Sequence, residues 1–425
     1  MPRSMFLGLA LIFIGVALVA NQSEGTTMLS KELVMRIQRD TEKYRKGNAK
    51  IVVFDNKGRP IEGVLVKAEQ VSHDFLFGCN IYALDALPDA NLNEKYKELF
   101  KRLLNYATVP FYWRGFEPEQ GKPGYARTDH IVKWCKENNI TTKGHPLVWT
   151  HQAGVPAWLD ESNPTEVKQL LEHRVTAIVS RYKGQIDIWD VVNESTHTRT
   201  FAGLSMFDYT ALPFYWARKA NPSATLIVNE FGVVGPRGGD DKFYNLLREM
   251  KEKKVPFDVI GIQTHMHRGP FSLAEILDTL DRYATLGKPI HFTETTVLSG
   301  GNETTPEGEK KQAEYVEQFY RVCFSHPAVR AITWWDFSDA KAWQGLAAGL
   351  VRKDMSPKPV YLVLDRLINK EWHTIAKGET FKDGSFSFRG FYGKYTVSLT
   401  NAKGESKLVS FHLREGSDNV LKIRL

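Results

Sequence analysis

Two glutamates in this chain close apolar runs at points where a buried strand would surface. The first ends Trp189-Asp190-Val191-Val192-Asn193-Glu194, and the second sits in His291-Phe292-Thr293-Glu294-Thr295. Cleavage of a glycosidic bond needs such a pair. One carboxylic acid protonates the leaving oxygen while the other carboxylate attacks the anomeric carbon. An Asn directly before the acid can hold the sugar 2-hydroxyl, whose hydrogen bonds strengthen in the transition state. Either Glu alone reads as a solvated strand end or an ion-pair partner; Asn-Glu and Thr-Glu together point to a site. Other apolar runs end in the same way: Gly144-His145-Pro146-Leu147-Val148-Trp149, Gly261-Ile262-Gln263-Thr264-His265, and Trp334-Trp335-Asp336 with Asp339 and Trp343 just beyond.

Something must bring these ends together. From about residue 75, short apolar segments recur every thirty to forty-five residues: Phe75–Tyr82, Ala107–Trp113, Thr142–Trp149, Ile186–Asn193, Leu226–Phe231, Val259–Met266, Ile290–Thr295 and Ala331–Phe337. Between them lie stretches with apolar residues three and four apart, as in amphipathic helices: Asn93–Leu104, Arg127–Glu137, Val167–Arg181, Met206–Ala220, Phe243–Glu252, Leu273–Thr285 and Glu307–Ser325. Strands alternating with helices predict an α/β fold, a (β/α)8 TIM barrel over residues 75–368. In such a barrel chemistry collects where the strands end at the C-terminal face, so the polar strand ends should converge on one mouth.

The flanks read differently. Arg3 precedes an apolar run from Met5 to Ala20, followed by polar residues, so residues 1–23 read as a signal peptide; Leu18 makes the cleavage site imperfect. Residues 24–74 read as an amphipathic helix and a β-hairpin, in which Ile51–Phe54 turns at Asp55-Asn56-Lys57-Gly58 into Val64–Val66. Residues 369–425 alternate with period two and are broken by Gly and Asp, the pattern of a small all-β module. The hairpin is placed to pair with it.

Composition excludes several classes of function. The twelve histidines show no HExxH or other metal-ligand spacing. No Gly-rich loop precedes a helix to cradle phosphate, so neither metal nor cofactor is implied. Three cysteines, Cys79, Cys135 and Cys323, form no Cys-x-x-Cys pair and read as buried thiols with at most one bridge. The formal net charge is +7. From Arg366 to the end, eleven Lys and Arg against six Asp and Glu leave +5. These charges alternate with apolar residues and form no basic run, which argues against nucleic acid and suits weak attraction to an anionic polymer.

Residues from about 95 to 360 resemble glycoside hydrolase family 10, the family of endo-β-1,4-xylanases. The resemblance rests on Trp189–Glu194, Gly144–Trp149, Gly261–His265, Thr293-Glu294, Trp335 with Trp343, and Glu117-Pro118 followed by Gly121. The hairpin and the tail around Arg389-Gly390-Phe391-Tyr392-Gly393 resemble elements flanking plant-type members. The resemblance implies that Glu194 is the acid/base and Glu294 the nucleophile of a retaining hydrolase. It places His145, Asn193, Gln263 and His265 around the sugar, with Trp149, Trp335 and Trp343 as aromatic walls. The implied partner is a plant cell-wall polysaccharide, xylan or a related β-glycan. The implied protein is secreted or periplasmic, monomeric, and without stable membrane contact once the signal is removed. The alternative is a non-catalytic carbohydrate-binding protein on the same barrel. The chain departs from the family's Glu-Asn-x-x-Lys-Trp: with Trp113 aligned to its Trp, Thr108, Val109 and Tyr112 fall at the Glu, Asn and Lys positions, and recognition on the glycone side should weaken. Thr150 follows Trp149 where the family has His. Thr296 follows Glu294 by two where the family commonly has Asp.

Overall fold

Ser30 accepts a hydrogen bond from the backbone of Leu33 and opens helix α1 (Lys31–Arg45), which runs directly into strand β1 (Lys46–Phe54). The computed structural model describes residues 29–425 apart from Ala202. The signal-peptide expectation therefore lies outside the described residues. The chain reverses where the turn residues foretold: Asp55 accepts from the backbone of Lys57 and Arg59, and Gly58 takes φ +79°. The second run, however, does not lie along the first. Strand β2 (Leu65–His73) leaves for a different sheet.

Eight parallel strands then close a barrel: β3 (Leu76–Asn80), β4 (Tyr106–Pro110), β5 (Thr141–His145), β6 (Ile188–Asn193), β7 (Thr225–Glu230), β8 (Val259–Met266), β9 (Ile290–Val297) and β10 (Val329–Trp334), with β10 pairing back to β3. Each strand is covered on both faces, so its residues are buried in a near-continuous run rather than in alternation. β9 is buried along its whole length. The periodic stretches between strands are helices, among them Tyr125–Glu137, Pro164–Arg181, Met206–Ala220 and Pro306–Ser325. The apolar faces of these helices join the barrel wall in one core.

The tail supplies β11 (Ile375–Glu379), β12 (Ser385–Phe391), β13 (Gly393–Thr400), β14 (Ser406–Leu413) and β15 (Val420–Arg424). They pair with β1 and β2 in two sheets, ordered β12-β1-β15 and β11-β2-β13-β14. The second core lies between these sheets, among Ile51, Val53, Val66, Ala68, Val397 and Leu399. The expected hairpin is thus corrected to two strands, one in each sheet of a sandwich built from both flanks of the barrel. The reason is burial: β1 and β2 alternate buried and exposed residues, and facing sheets bury both apolar rows where an isolated hairpin would bury neither. Cys79, Cys135 and Cys323 are buried and unbridged. No described helix is long and apolar enough to cross a membrane.

Candidate active site

The backbone turns sharply at the end of β6. Glu194 takes φ +60°, a left-handed conformation that is uncommon for a glutamate and that concentrates at functional sites. Its amide donates to the carbonyl of Asn229 at 2.8 Å, which fixes the turn against β7. The carboxylate so placed receives three hydrogen bonds. The Trp149 indole donates to Oε2 at 2.9 Å, and the amides of Asn193 and Gln263 donate to Oε1 at 3.1 Å each. Burial and then the negative charge of Glu294 push its pKa up to about 7, against the Gln263 and Trp149 bonds that favour the ionised form.

Glu294 lies inside β9 and is 4% exposed. Burial alone would raise its pKa. The charge of His145, 3.7 Å away, and the hydrogen bond from His265 at 3.1 Å outweigh that effect and hold it below the ordinary carboxylate value. His145 is anchored from behind. Asp190 pairs with its Nδ1 at 2.8 Å and with the Lys143 ammonium at 2.6 Å, all three side chains being buried. His265 is anchored by Thr296, whose hydroxyl meets Nδ1 at 2.9 Å. The pKa values of the two glutamates are therefore driven apart, Glu194 upward with no cation beside it and Glu294 downward beside two imidazoles.

The structure brings together all nine residues singled out from sequence. Asn193 Oδ1 accepts from Gln263 at 3.2 Å, which links the β6 and β8 ends. Trp335 sets its edge against His145 and His265, at 5.4 and 5.9 Å between ring centres. Trp343, the most open of the walls, covers His265 and His267 at 5.0 and 5.1 Å. Among the described residues no group of three or more His, Cys, Asp or Glu is placed to hold a metal ion.

One central residue escaped the sequence reading. Asn229, fully buried on β7, donates through a single amide nitrogen to Asn193 Oδ1 at 2.7 Å and to Glu294 Oε1 at 2.9 Å. Thr293 returns a bond to its oxygen. Gly261 makes room for it: a Cβ there would stand 2.8 Å from Asn229 Oδ1. The signal was present, because Asn229-Glu230 repeats the Asn193-Glu194 dipeptide one strand later. Glu230 itself is turned to the neighbouring loop, where it binds Thr196 and His197. Of the resemblance motifs, Glu117 is structural; it accepts from the Trp113 indole and from the Gly121 amide.

The glycone-side departures need correction. Thr108 and Val109 are fully buried in β4, opposite Lys143 and Gly144 of β5. Tyr112 lies beyond the end of β4 at Pro110. Its ring stands 5.5 Å from His145 and 6.0 Å from Trp149, and it meets Tyr82 hydroxyl to hydroxyl at 3.5 Å. Tyr82 in turn packs its edge on Trp335. This side of the cleft is an uncharged aromatic wall with two phenols as its polar groups.

A parallel (β/α)8 barrel with a tuned carboxylate pair at the C-terminal ends of its fourth and seventh strands defines a class, the barrel glycoside hydrolases. The chain belongs to glycosyl hydrolase family 10, whose profile matches residues 68–366. It is 30% identical over 413 residues to an anti-sigma-I factor of Acetivibrio thermocellus, a match covering 95% of this chain and 52% of that protein. The chain thus spans about half the length of that curated relative. It is 31% identical over 334 residues to endo-1,4-beta-xylanase B of Thermotoga neapolitana, covering 75% of this chain and 94% of the relative. Xylanase 10B of Thermotoga petrophila, solved in complex with xylobiose, superposes with a TM-score of 0.61 at 31% identity, over 70% of this chain and 95% of the other.

Proposed function

We propose that the protein is a retaining endo-β-1,4-xylanase acting on xylan or a closely related β-linked glycan, with Glu294 as nucleophile and Glu194 as acid/base. The observation that carries this reading is the split of the two carboxyl groups. Glu294 is held ionised by His145 and His265, while Glu194 keeps its proton to about pH 7. In the first step a Glu294 oxygen attacks the anomeric carbon, the glycosidic C–O bond breaks, and Glu194 passes its proton to the departing oxygen. In the second step Glu194 takes a proton from water, whose oxygen attacks the same carbon and releases Glu294. In this reading Asn193 holds the 2-hydroxyl, and Trp149, Trp335 and Trp343 pack on the sugar faces.

The activities named for the Thermotoga relatives, and the xylobiose bound to one of them, support the substrate class. The N-terminal apolar run supports export, and the reading is of a secreted or periplasmic monomer. A barrel that only binds glycan needs neither a nucleophile nor an acid, so the retained pair favours catalysis. The test is a 2-deoxy-2-fluoro-β-xylobioside with an activated leaving group. A glycosyl adduct on the peptide carrying Glu294, together with a β-configured first product by proton NMR, is the expected result. An inverted product, or an adduct on another residue, overturns the assignment.

A further inference from the structure

Asp336 follows β10 and is 5% exposed, and among the described residues no Lys or Arg pairs with it. Its Oδ1 accepts from the backbone amide of Trp343 at 2.9 Å, seven residues on, and its Oδ2 has no hydrogen-bond partner. Its nearby neighbour Asp339 differs. Asp339 takes the buried Lys358 ammonium at 2.7 Å and the Gly349 amide at 2.7 Å, and so pins the far end of the same segment permanently. Between these two anchors the chain makes a tight turn with left-handed residues at Gln344 (φ 59°) and Gly345 (φ 68°), and the Trp343 ring, 46% exposed, lies over His265 and His267. Among the described residues the Trp343 ring meets only these two histidines, and its backbone is held by the bond to Asp336 and by the Leu346 amide, which donates to its carbonyl at 3.4 Å.

We infer that Asp336 is a positioning residue for the substrate cleft, which holds the Trp343 backbone and thereby the indole wall over His265. This inference rests on the glycoside hydrolase reading for its kinetic consequence, not for its structural one. The bond to Trp343 needs an acceptor at Oδ1 rather than a charge. Burial raises the Asp336 pKa to about 6, and the surrounding Cys79, Tyr96, His265, Glu294 and Asp339 offer no bond to Oδ2. A proton can therefore sit on Oδ2 while Oδ1 continues to accept. Asp336→Asn, with its oxygen toward Trp343, should preserve the wall; Asp336→Ala should free it.

The test compares Asp336→Asn, Asp336→Ala, Trp343→Ala and the Asp336→Ala/Trp343→Ala double variant. It reads amide exchange over residues 338–347 by mass spectrometry, and KM and kcat on xylo-oligosaccharides. Losing one hydrogen bond corresponds to about a fivefold effect. Expected are faster exchange in that segment and a KM raised about fivefold or more in Asp336→Ala, kcat within about twofold of wild type, Asp336→Asn close to wild type, and a double variant no worse than Trp343→Ala alone. Unchanged exchange in Asp336→Ala overturns the anchor. A kcat effect without a KM effect, a damaging Asp336→Asn, or additive losses in the double variant overturn its positioning role. A wild-type protein without turnover would refute the proposed function, and the exchange comparison would still decide for or against the anchor. Should Asp336→Ala not fold, Asp336→Asn keeps the question open to refutation, since a raised KM or faster exchange there defeats the inference.

Discussion

Glu194 carries a cost in stability that its chemistry explains. Its pKa in the folded protein is about 7 against an ordinary 4.5, so the folded state holds this proton more tightly than the unfolded chain does. The favourable contribution of the protonated form is complete below pH 4.5 and is lost as pH rises through about 7. Glu194→Gln keeps the shape and removes the titration. Its melting temperature is expected to match wild type near pH 4.5, to exceed it by a widening margin up to pH 7, and to stay a few degrees above it at pH 8. A margin that does not change with pH would show that Glu194 has an ordinary pKa. Turnover of the wild type should decline on the alkaline side near pH 7, where the acid loses its proton. At this scale the sequence was informative because the proposed site residues put polar groups near the same end of several barrel strands. Glu194, Glu294, Gln263 and His265 all stand out as polar residues in otherwise apolar runs. The left-handed turn at Glu194 left no such mark, since nothing in its type requires it.

A strand's register decides which of its residues reach the mouth, and this was the harder reading. The eight apolar segments fall on the eight barrel strands, and Val259–Met266 coincides with β8 residue for residue. In β4, by contrast, the apolar run Ala107–Trp113 gives no sign of where pairing stops. Alignment on Trp113 puts Thr108 and Val109 at the family's polar positions, and both are buried within β4, paired with β5. The β7 run Leu226–Phe231 includes Asn229, whose one mark in the sequence is the Asn-Glu dipeptide it shares with β6. The Asn229 amide is the direct bridge between the Asn193 and Glu294 side chains, joining β6, β7 and β9. Asn229→Ala is expected to lower kcat by about 10–100-fold, below the 10²–10³ typical of a lost donor that meets the reacting atom itself, with the fold retained. Asn229→Asp should do more than remove a bond. A second carboxylate against Oε1 disfavours ionisation of Glu294, so the acid limb of the pH–rate profile should move to higher pH. An unshifted acid limb with an intact fold would separate Asn229 from the control of Glu294.

The whole molecule is a barrel carried within a β-sandwich, and this arrangement sets what can be removed. Period-two alternation revealed strands in both flanks and set the hairpin against the tail, but pairing between residues more than three hundred positions apart leaves no local trace of register, so the division of β1 and β2 between two sheets was not legible. In the structure, β1 lies between β12 and β15, and β2 between β11 and β13. Truncation before Trp372 would strip both strands of every sheet partner and uncover Ile51, Val53, Val66 and Ala68. It would also remove Trp372 itself, which stacks on Phe324 at 4.0 Å between ring centres and on Phe77 at 5.8 Å, at the barrel end opposite the mouth. Unpaired apolar strands are templates for aggregation. By contrast, 70% of this chain matches 95% of the Thermotoga petrophila structure. The damage in a tail truncation should therefore come from the orphaned strands more than from loss of the tail as such. Residues 1–371 are expected to be largely insoluble. Residues 75–371, which discard β1 and β2 together with their partners, should be recovered in higher soluble yield. That double truncation should still melt below the full chain, because Arg45 would no longer reach the carbonyls of Phe324, His326 and Val329. Soluble yield and thermal melts of the three proteins decide the order. If residues 1–371 match the full chain in both, the sandwich is an appendage and the two flanks do not depend on one another.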